Sequence, residues 1–477
     1  MFSRQSGPSG RHALLGRVMA AVVTLAAAGA PVAAASTQAP VADAAERQDG
    51  EGVKALLARG ADVNAPQEDG TTALHWAAHW NDEAMGRTLL EAGAHVDAKT
   101  DLGLSPLSLA CGNGSAGMAR LLVGAKSDPR DVLPSGETAL MTCARSGLLD
   151  VVEQLLARKA DPNARVADAH GQTAVMWAAS EGHAAVVSAL LRAGADANAR
   201  TGTGLTPLFF AARRGDLASA QALIAAGADV NAVAPDGSTP LLVAAAGINA
   251  ITASDYRMVP ISSGHEALAL ALLRAGANDK AADSLGLTAL HAAVETDKLA
   301  LVDALIAKGT DLNARLVKGL PFRRGDYVSR AYYVGATPLW LAAKDGKLEI
   351  MRTLVAAGAD PQLPSQNGIT PLMVAAGLGQ TDSRIPPEPR MLEAVTYLLS
   401  LGADVNQRNR AGQTAVHGAA NVSFDAVIRL LASHGADVNA KDNNGRTAFD
   451  LTRNPMRPRP KTGDTLRTLG AVNAGNP

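Results

Sequence analysis

TALHWAA, residues 72–78, is a seven-residue phrase that returns along the whole chain. It recurs as SPLSLAC (105–111), TALMTCA (138–144), TAVMWAA (173–179), TPLFFAA (206–212), TPLLVAA (239–245), TALHAAV (288–294), TPLWLAA (337–343), TPLMVAA (370–376), TAVHGAA (414–420) and TAFDLTR (447–453). Successive phrases start 33, 33, 35, 33, 33, 49, 49, 33, 44 and 33 residues apart. About twenty residues after most of them comes a second phrase, as in LLARGADVNA at 56–65 and LLASHGADVNA at 430–440. Eleven hits in register define a repeat of about 33 residues, which replaces the reading of a 477-residue chain as several globular domains.

Each phrase has a physical job. Thr followed by Pro, as at Thr206, Thr239, Thr337 and Thr370, suits a helix start. The hydroxyl caps an orphan N–H, and proline at the first helical position gives up only a donor that had no partner. The Ala-Ala pair lets neighbouring helices approach closely. A second helix carries a Val/Leu-Leu stripe, as in VVEQLLARKA (151–160), and stops at a glycine suited to a left-handed backbone. Gly60, Gly93, Gly194, Gly227, Gly276, Gly309, Gly358, Gly402 and Gly435 fill that place, and Lys159 replaces it once. The DVNA stretch that follows reads as a turn or hairpin finger joining one helix pair to the next.

A period of 33 with a T-P-L-H-x-A core resembles the ankyrin repeat family. The resemblance implies an all-α repeat solenoid of about ten full repeats with terminal caps, spanning 45–471. Each repeat would be helix–turn–helix plus a β-hairpin finger. It also implies that His75, His291 and His417, at the His of the core phrase, are structural and hydrogen-bond between repeats. Residues 472–477 are a tail. Aromatic residues make up only 3% of the chain, which fits helices packed through Ala, Leu and Val.

Residues 1–35 lie outside the array. Arg4, Arg11, His12 and Arg17 precede an apolar run from Val18 to Ala30, and Ala33, Ala34 and Ala35 form an A-x-A cleavage site before Ser36. This reads as a secretory signal peptide of bacterial style, followed by a short lead-in at 36–44. The expected location is the periplasm, with an extracellular destination as the alternative, and no stable membrane span after cleavage. Cys111 and Cys143 fall on inner helices of adjacent repeats. Layers about 8–10 Å apart exceed the Cα separation of roughly 4.4–6.8 Å that a disulfide needs, so two buried free thiols are expected.

Motifs for catalysis, metal or cofactor binding are missing: there is no phosphate-binding glycine loop, H-E-x-x-H or C-x-x-C. No cofactor and no enzymatic activity are expected. A net charge of −1 gives no global signal for nucleic acid. The departures from the period carry more. Three units are overlong by sixteen, sixteen and eleven residues, with insertions at 248–264, 315–335 and 379–390. Four of the five tyrosines lie in the first two: Tyr256, Tyr327, Tyr332 and Tyr333. The enlarged finger at 315–335 adds Arg315, Lys318, Arg323, Arg324 and Arg330. Tyr and Arg are favoured at interface hot spots, although such rings also fold back to order a long loop.

Residues just after the Ala-Ala pair face the concave groove in the family that the chain resembles. Here they include His79, Trp80, Arg213, Arg214 and Lys344. Trp340 replaces the core histidine behind the enlarged finger. The candidate partner-binding residues are therefore Trp80, Arg213, Arg214, Tyr256, Arg323, Arg324, Tyr327, Tyr332, Tyr333 and Trp340. The function implied is a non-enzymatic protein–protein interaction scaffold. Two alternatives are a secreted effector that binds host proteins and an enzyme whose site lies in the insertions, with Asp255, His265, Asp326 and Glu388 as acid–base groups. Mass spectrometry of the mature protein should place its N-terminus at Ser36. An intact Met1 would overturn the export reading.

Overall fold

The computed structural model describes residues 39–168, 170–247, 264–317, 333–380 and 385–473. The expected cleavage site and residues 1–38, most of the first two insertions, and the tail at 474–477 lie outside these. By contacts the chain divides into two compact units, residues 1–202 and 203–477, built from the same helix pair.

The N-terminal unit holds five pairs: α1 (Pro40–Glu46) with α2 (Gly50–Ala58), α3 (Ala73–Trp80) with α4 (Glu83–Glu91), α5 (Pro106–Gly112) with α6 (Ala116–Gly124), α7 (Ala139–Arg145) with α8 (Leu149–Ala157), and α9 (Ala174–Glu181) with α10 (Ala184–Arg192). The other unit holds seven: α11 (Pro207–Arg214) with α12 (Leu217–Ala225), α13 (Pro240–Ala246) with α14 (Gly264–Arg274), α15 (Ala289–Glu295) with α16 (Leu299–Lys308), α17 (Pro338–Lys344) with α18 (Leu348–Ala356), α19 (Pro371–Ala375) with α20 (Glu388–Ser400), α21 (Ala415–Val422) with α22 (Asp425–Ser433), and α23 (Ala448–Thr452) with α24 (Pro460–Thr468). Within each unit every inner helix packs on its own outer helix and on the next inner helix. Among the described residues there is no sheet, only isolated bridges such as Val132 with Thr138.

The first pair departs from the sequence reading. Residues 36–44 read as a lead-in, yet α1 is an inner helix that starts at Pro40, so the boundary at 45 falls inside it. Ala39 stands where the other repeats have Thr or Ser, which hides the phrase: APVADAAER (39–47) aligns with TALHWAAHW (72–80).

Local chemistry explains the rest. The side chains of Ser105, Thr138, Thr239, Thr288, Thr337, Thr370 and Thr447 accept the backbone N–H three residues on, capping their helices. Both residues of the small pair, as in Ala77 and Ala78 or Ala211 and Ala212, are fully buried. A leucine of the outer helices forms a second buried row, with Leu89, Leu122, Leu155 and Leu190 in one unit and Leu223, Leu305, Leu354 and Leu431 in the other, while Val53 takes that role in α2. All nine expected glycines have positive φ, and Lys159 adopts the same conformation at φ 68°. The finger asparagine ties repeats together. Asn64 donates to Gly93 O at 3.1 Å and accepts from His95 N at 2.7 Å, and Asn163 does the same with Gly194 and Asp196.

Cys111 and Cys143 form a disulfide, which corrects the expectation of free thiols. The error lay in comparing an axis-to-axis spacing with a Cα separation. Each helix has a Cα radius of about 2.3 Å, so facing Cα atoms on helices 8–10 Å apart approach to roughly 4–5 Å. The observed Cα–Cα distance is 4.6 Å. Both residues are fully buried where α5 meets α7.

The three core histidines bridge repeats. His75 Nε2 meets Leu104 O at 2.9 Å, His291 Nε2 meets Ala336 O at 3.4 Å, and His417 Nε2 meets Arg446 O at 3.3 Å. Thr288 N donates to His291 Nδ1, which leaves that nitrogen an acceptor and the proton on Nε2. Burial pushes all three pKa values down, that of His291 from 6.5 to about 4.

Two outcomes follow. Thiol counting under denaturing, non-reducing conditions should find none, and reduction should cost on the order of 2–4 kcal/mol, from the entropy of a loop of about 32 residues. Because folding lowers the His291 pKa, the unfolded chain takes the proton first. Its contribution is therefore present above about pH 6.5 and lost as pH falls towards 4, on the order of 1–3 kcal/mol. Denaturant melts of His291→Gln should lose that part of the acid sensitivity.

Candidate functional site

The C-terminal ends of the inner helices are built by capping from the next repeat. Four C=O groups at a helix C-terminus have no partner within the helix. Asn113 Nδ2 donates to His79 O at 3.3 Å. His183 Nε2 reaches Arg145 O at 3.0 Å, and His265 Nε2 reaches Arg213 O at 3.2 Å. Lys347 Nζ donates to Val294 O and Glu295 O, both at 2.7 Å, and burial lowers its pKa. His265, proposed above as an acid–base group, thus has a structural task. So has Glu388, whose Oε1 accepts from Ala426 N and from Val427 N at the start of α22.

With the carbonyls satisfied, the side chains at the helix ends point away from the core. Trp80 is 41% exposed, an unusual state for the largest side chain, and its Nε1 donates to Glu46 O at 3.2 Å. Its ring stacks on Trp76, with centroids 6.2 Å apart and planes at 18°, and meets His79 edge-on at 4.6 Å. Burial lowers the His79 pKa, so the imidazole is neutral at pH 7. Trp76 is buried, and its Nε1 donates to Gln67 Oε1 at 2.7 Å. Gln67 in turn donates to Asp43 Oδ1 at 3.0 Å and Glu46 Oε2 at 2.8 Å. Nothing in the phrase TALHWAAHW reveals this carboxylate pair, because Asp43 and Glu46 belong to the helix that the sequence hides.

In the other unit, Arg213 and Arg214 are exposed at the end of α11, and the Arg213 guanidinium lies 5.6 Å from the Phe210 ring. Tyr256, Arg323, Arg324, Tyr327 and Tyr332 lie outside the described residues. Tyr333 is half-buried, edge-on to Trp340 at 5.7 Å, with the Lys344 ammonium 5.7 Å from its ring. Trp340 differs from the expectation of a partner-binding residue. It is 1% exposed, and its Nε1 donates to Ile369 O at 2.9 Å. That carbonyl precedes the next repeat's capping Thr, as Leu104, Ala336 and Arg446 precede theirs. The indole therefore makes the inter-repeat bond that histidine makes elsewhere, and buttresses Tyr333 from below.

The outer helices offer a second surface. A shallow open depression of about 660 Å³ between α4 and α6 is lined by Glu83, Arg87, Leu90, Arg120 and Leu121 among others. Both of its arginines are already paired, Arg87 to Glu83 at 3.3 Å and Arg120 to Asp150 at 3.1 Å.

Comparison with known proteins agrees with this architecture. The family described as "Ankyrin repeats (3 copies)" matches residues 41–131, 87–166, 107–201, 175–253 and 388–451. The family described as "Ankyrin repeat" matches 285–315 and 334–366. A stretch of 118 residues is 34% identical to the mouse B-cell lymphoma 3 protein homolog, covering 24% of this chain and 23% of that protein. The human B-cell lymphoma 3 protein is 33% identical over 108 residues, covering 19% and 24%. A rat ankyrin repeat and SAM domain-containing protein 6 is 38% identical over 104 residues, covering 22% and 10%. The chain thus spans a quarter or less of the length of these relatives.

Proposed function

This chain belongs to the ankyrin repeat family, and from that we propose that it is a non-enzymatic protein–protein interaction scaffold. It is exported to the periplasm and binds partners through the groove-facing ends of its inner helices and through the insertions of repeats six to nine. The observation that carries the binding reading is Trp80: a 41% exposed indole held in one orientation by Glu46 O and Trp76. Such rigid amphipathic rings lose little entropy on contact and dominate interfaces. Export is supported by the basic and apolar start of the chain and by the Cys111–Cys143 bridge, since disulfides persist in oxidising compartments. Among the described residues, no helix is long and apolar enough to cross a membrane.

The enlarged finger is the second contact. Replacing Arg323, Arg324, Tyr327 and Tyr332 with alanine should weaken capture of partners from an envelope extract, with single hot spots costing on the order of 2 kcal/mol. The melting temperature should stay near that of the parent, because a solenoid's stability is approximately a sum over repeats and their nearest-neighbour interfaces. Tyr333 is left out of this variant because it packs on Trp340. A variant that melts early yet captures normally would reduce the finger to a structural patch. Partners captured only from host lysate, with the protein recovered outside the cell, would favour the effector alternative.

A further inference from the structure

Three rings on one helix, Trp76, His79 and Trp80, sit at spacings of three and four residues and so share a face. Beside them lie two carboxylates on the preceding inner helix, Asp43 and Glu46, both half-buried. Gln67 donates to one oxygen of each, and among the described residues neither carboxylate has a cationic partner. Two half-buried carboxylates at spacing i, i+3, held side by side without a counter-charge, repel each other. Such an arrangement is stabilised by a cation that supplies what is missing.

The surroundings have the same sign. Glu68 and Asp69 are exposed on the finger of the same repeat, and Asp101 on the next finger. Leu102 and Val132 are exposed at neighbouring finger tips, at 59% and 50%. The nearby cations are Arg47, exposed at the end of α1, Lys99, which is held by Asp131 and Val132 O, and Arg130, which is paired with Asp128. Neutral His79 adds no positive charge to the cluster.

We propose that Trp80, Asp43 and Glu46 form a receptor for a basic side chain, arginine or lysine, presented by an extended basic and apolar segment of the partner protein. The cation lies against the exposed part of the Trp80 ring, where the ring quadrupole attracts it, and hydrogen-bonds to the carboxylate oxygens that Gln67 leaves open. Apolar residues of the same segment meet Leu102 and Val132. This rests on the scaffold reading and adds to it the chemistry of the partner.

The test uses fluorescein-labelled Gly/Ser-spaced peptides carrying three arginines and two leucines, with counterparts in which glutamine or glutamate replaces arginine. Fluorescence anisotropy with the purified protein should give binding for the arginine form, about tenfold weaker binding for the glutamine form, and none for the glutamate form. Trp80→Ala, and separately Asp43→Asn with Glu46→Gln, should each weaken the arginine peptide about tenfold, while Trp80→Phe stays within about threefold. Circular dichroism melts establish that each variant is folded, and the isosteric amide pair keeps its bonds available to Gln67. No binding of the arginine peptide below about 1 mM, equal binding to folded Trp80→Ala, or equal binding of the glutamate form would each overturn the proposal. Envelope-partner capture unchanged by Trp80→Ala but lost in the finger variant would sink this receptor and leave the scaffold reading standing. Tight arginine-peptide binding with no partner captured by the parent protein would do the reverse.

Discussion

No repeat in this chain can satisfy its own backbone. The C=O groups at the end of each inner helix, and the turn that closes each outer helix, need donors that the repeat does not contain. Those donors come from a neighbouring repeat. His183 reaches back to Arg145 O and Lys347 back to Val294 O and Glu295 O, while Asn64 reaches forward to Gly93 O and His75 forward to Leu104 O. Buried Ala-Ala pairs bring the helices close enough for such short side chains to span the gap. Packing and hydrogen bonding are therefore one constraint: the apolar interface cannot form unless the polar bridges fit, and the bridges fit only at that spacing.

The same constraint decides what was legible in the sequence. The helix pairs from Thr72 onward, the left-handed glycines and the bridging histidines are legible because the usual residue stands in its usual place. What the sequence concealed lay where a different residue does the same job. Ala39 opens α1 without a capping hydroxyl, so the boundary expected at 45 separates Asp43 from Glu46 and hides the pair. Trp340 looked like a displayed aromatic because it replaces His, yet its indole N–H makes the histidine's bond. The disulfide was missed because a spacing between axes does not limit atoms on facing surfaces.

The place two residues after the Ala-Ala pair varies along the array, through Trp80, Asn113, Ser146, Glu181, Arg214 and Asp345. Trp80 and Asn113 reach back from it to Glu46 O and His79 O of the preceding inner helix. No single residue type is required there, so its chemistry is set by what it meets. Trp80 at that place, with acid residues on one side, is the clearest case, and in the other unit the same place carries Arg214 in one repeat and Asp345 in another.

The disulfide can be understood in the same terms. In a solenoid each interface contributes separately, so the one with the fewest bridges opens first. Between α5 and α7 the core histidine and the finger asparagine are both replaced, while Arg158 donates to Val123 O and Arg120 pairs with Asp150 across the outer helices. Ser108 donates back to Ser105 O within its own helix, and Arg130 stands where the finger asparagine belongs and binds Asp128 beside it. Lys126 takes the left-handed place of glycine at φ 69°, a conformation that costs a side chain about 1 kcal/mol. Asp131 replaces part of the lost network by holding Lys99 and Ser105. The Cys111–Cys143 bond then closes this interface covalently, starting from the repeat next to the Trp80 face and in the same unit. A binding surface assembled from stacked repeats keeps its shape only if no interface beneath it opens, and the crosslink holds this one closed.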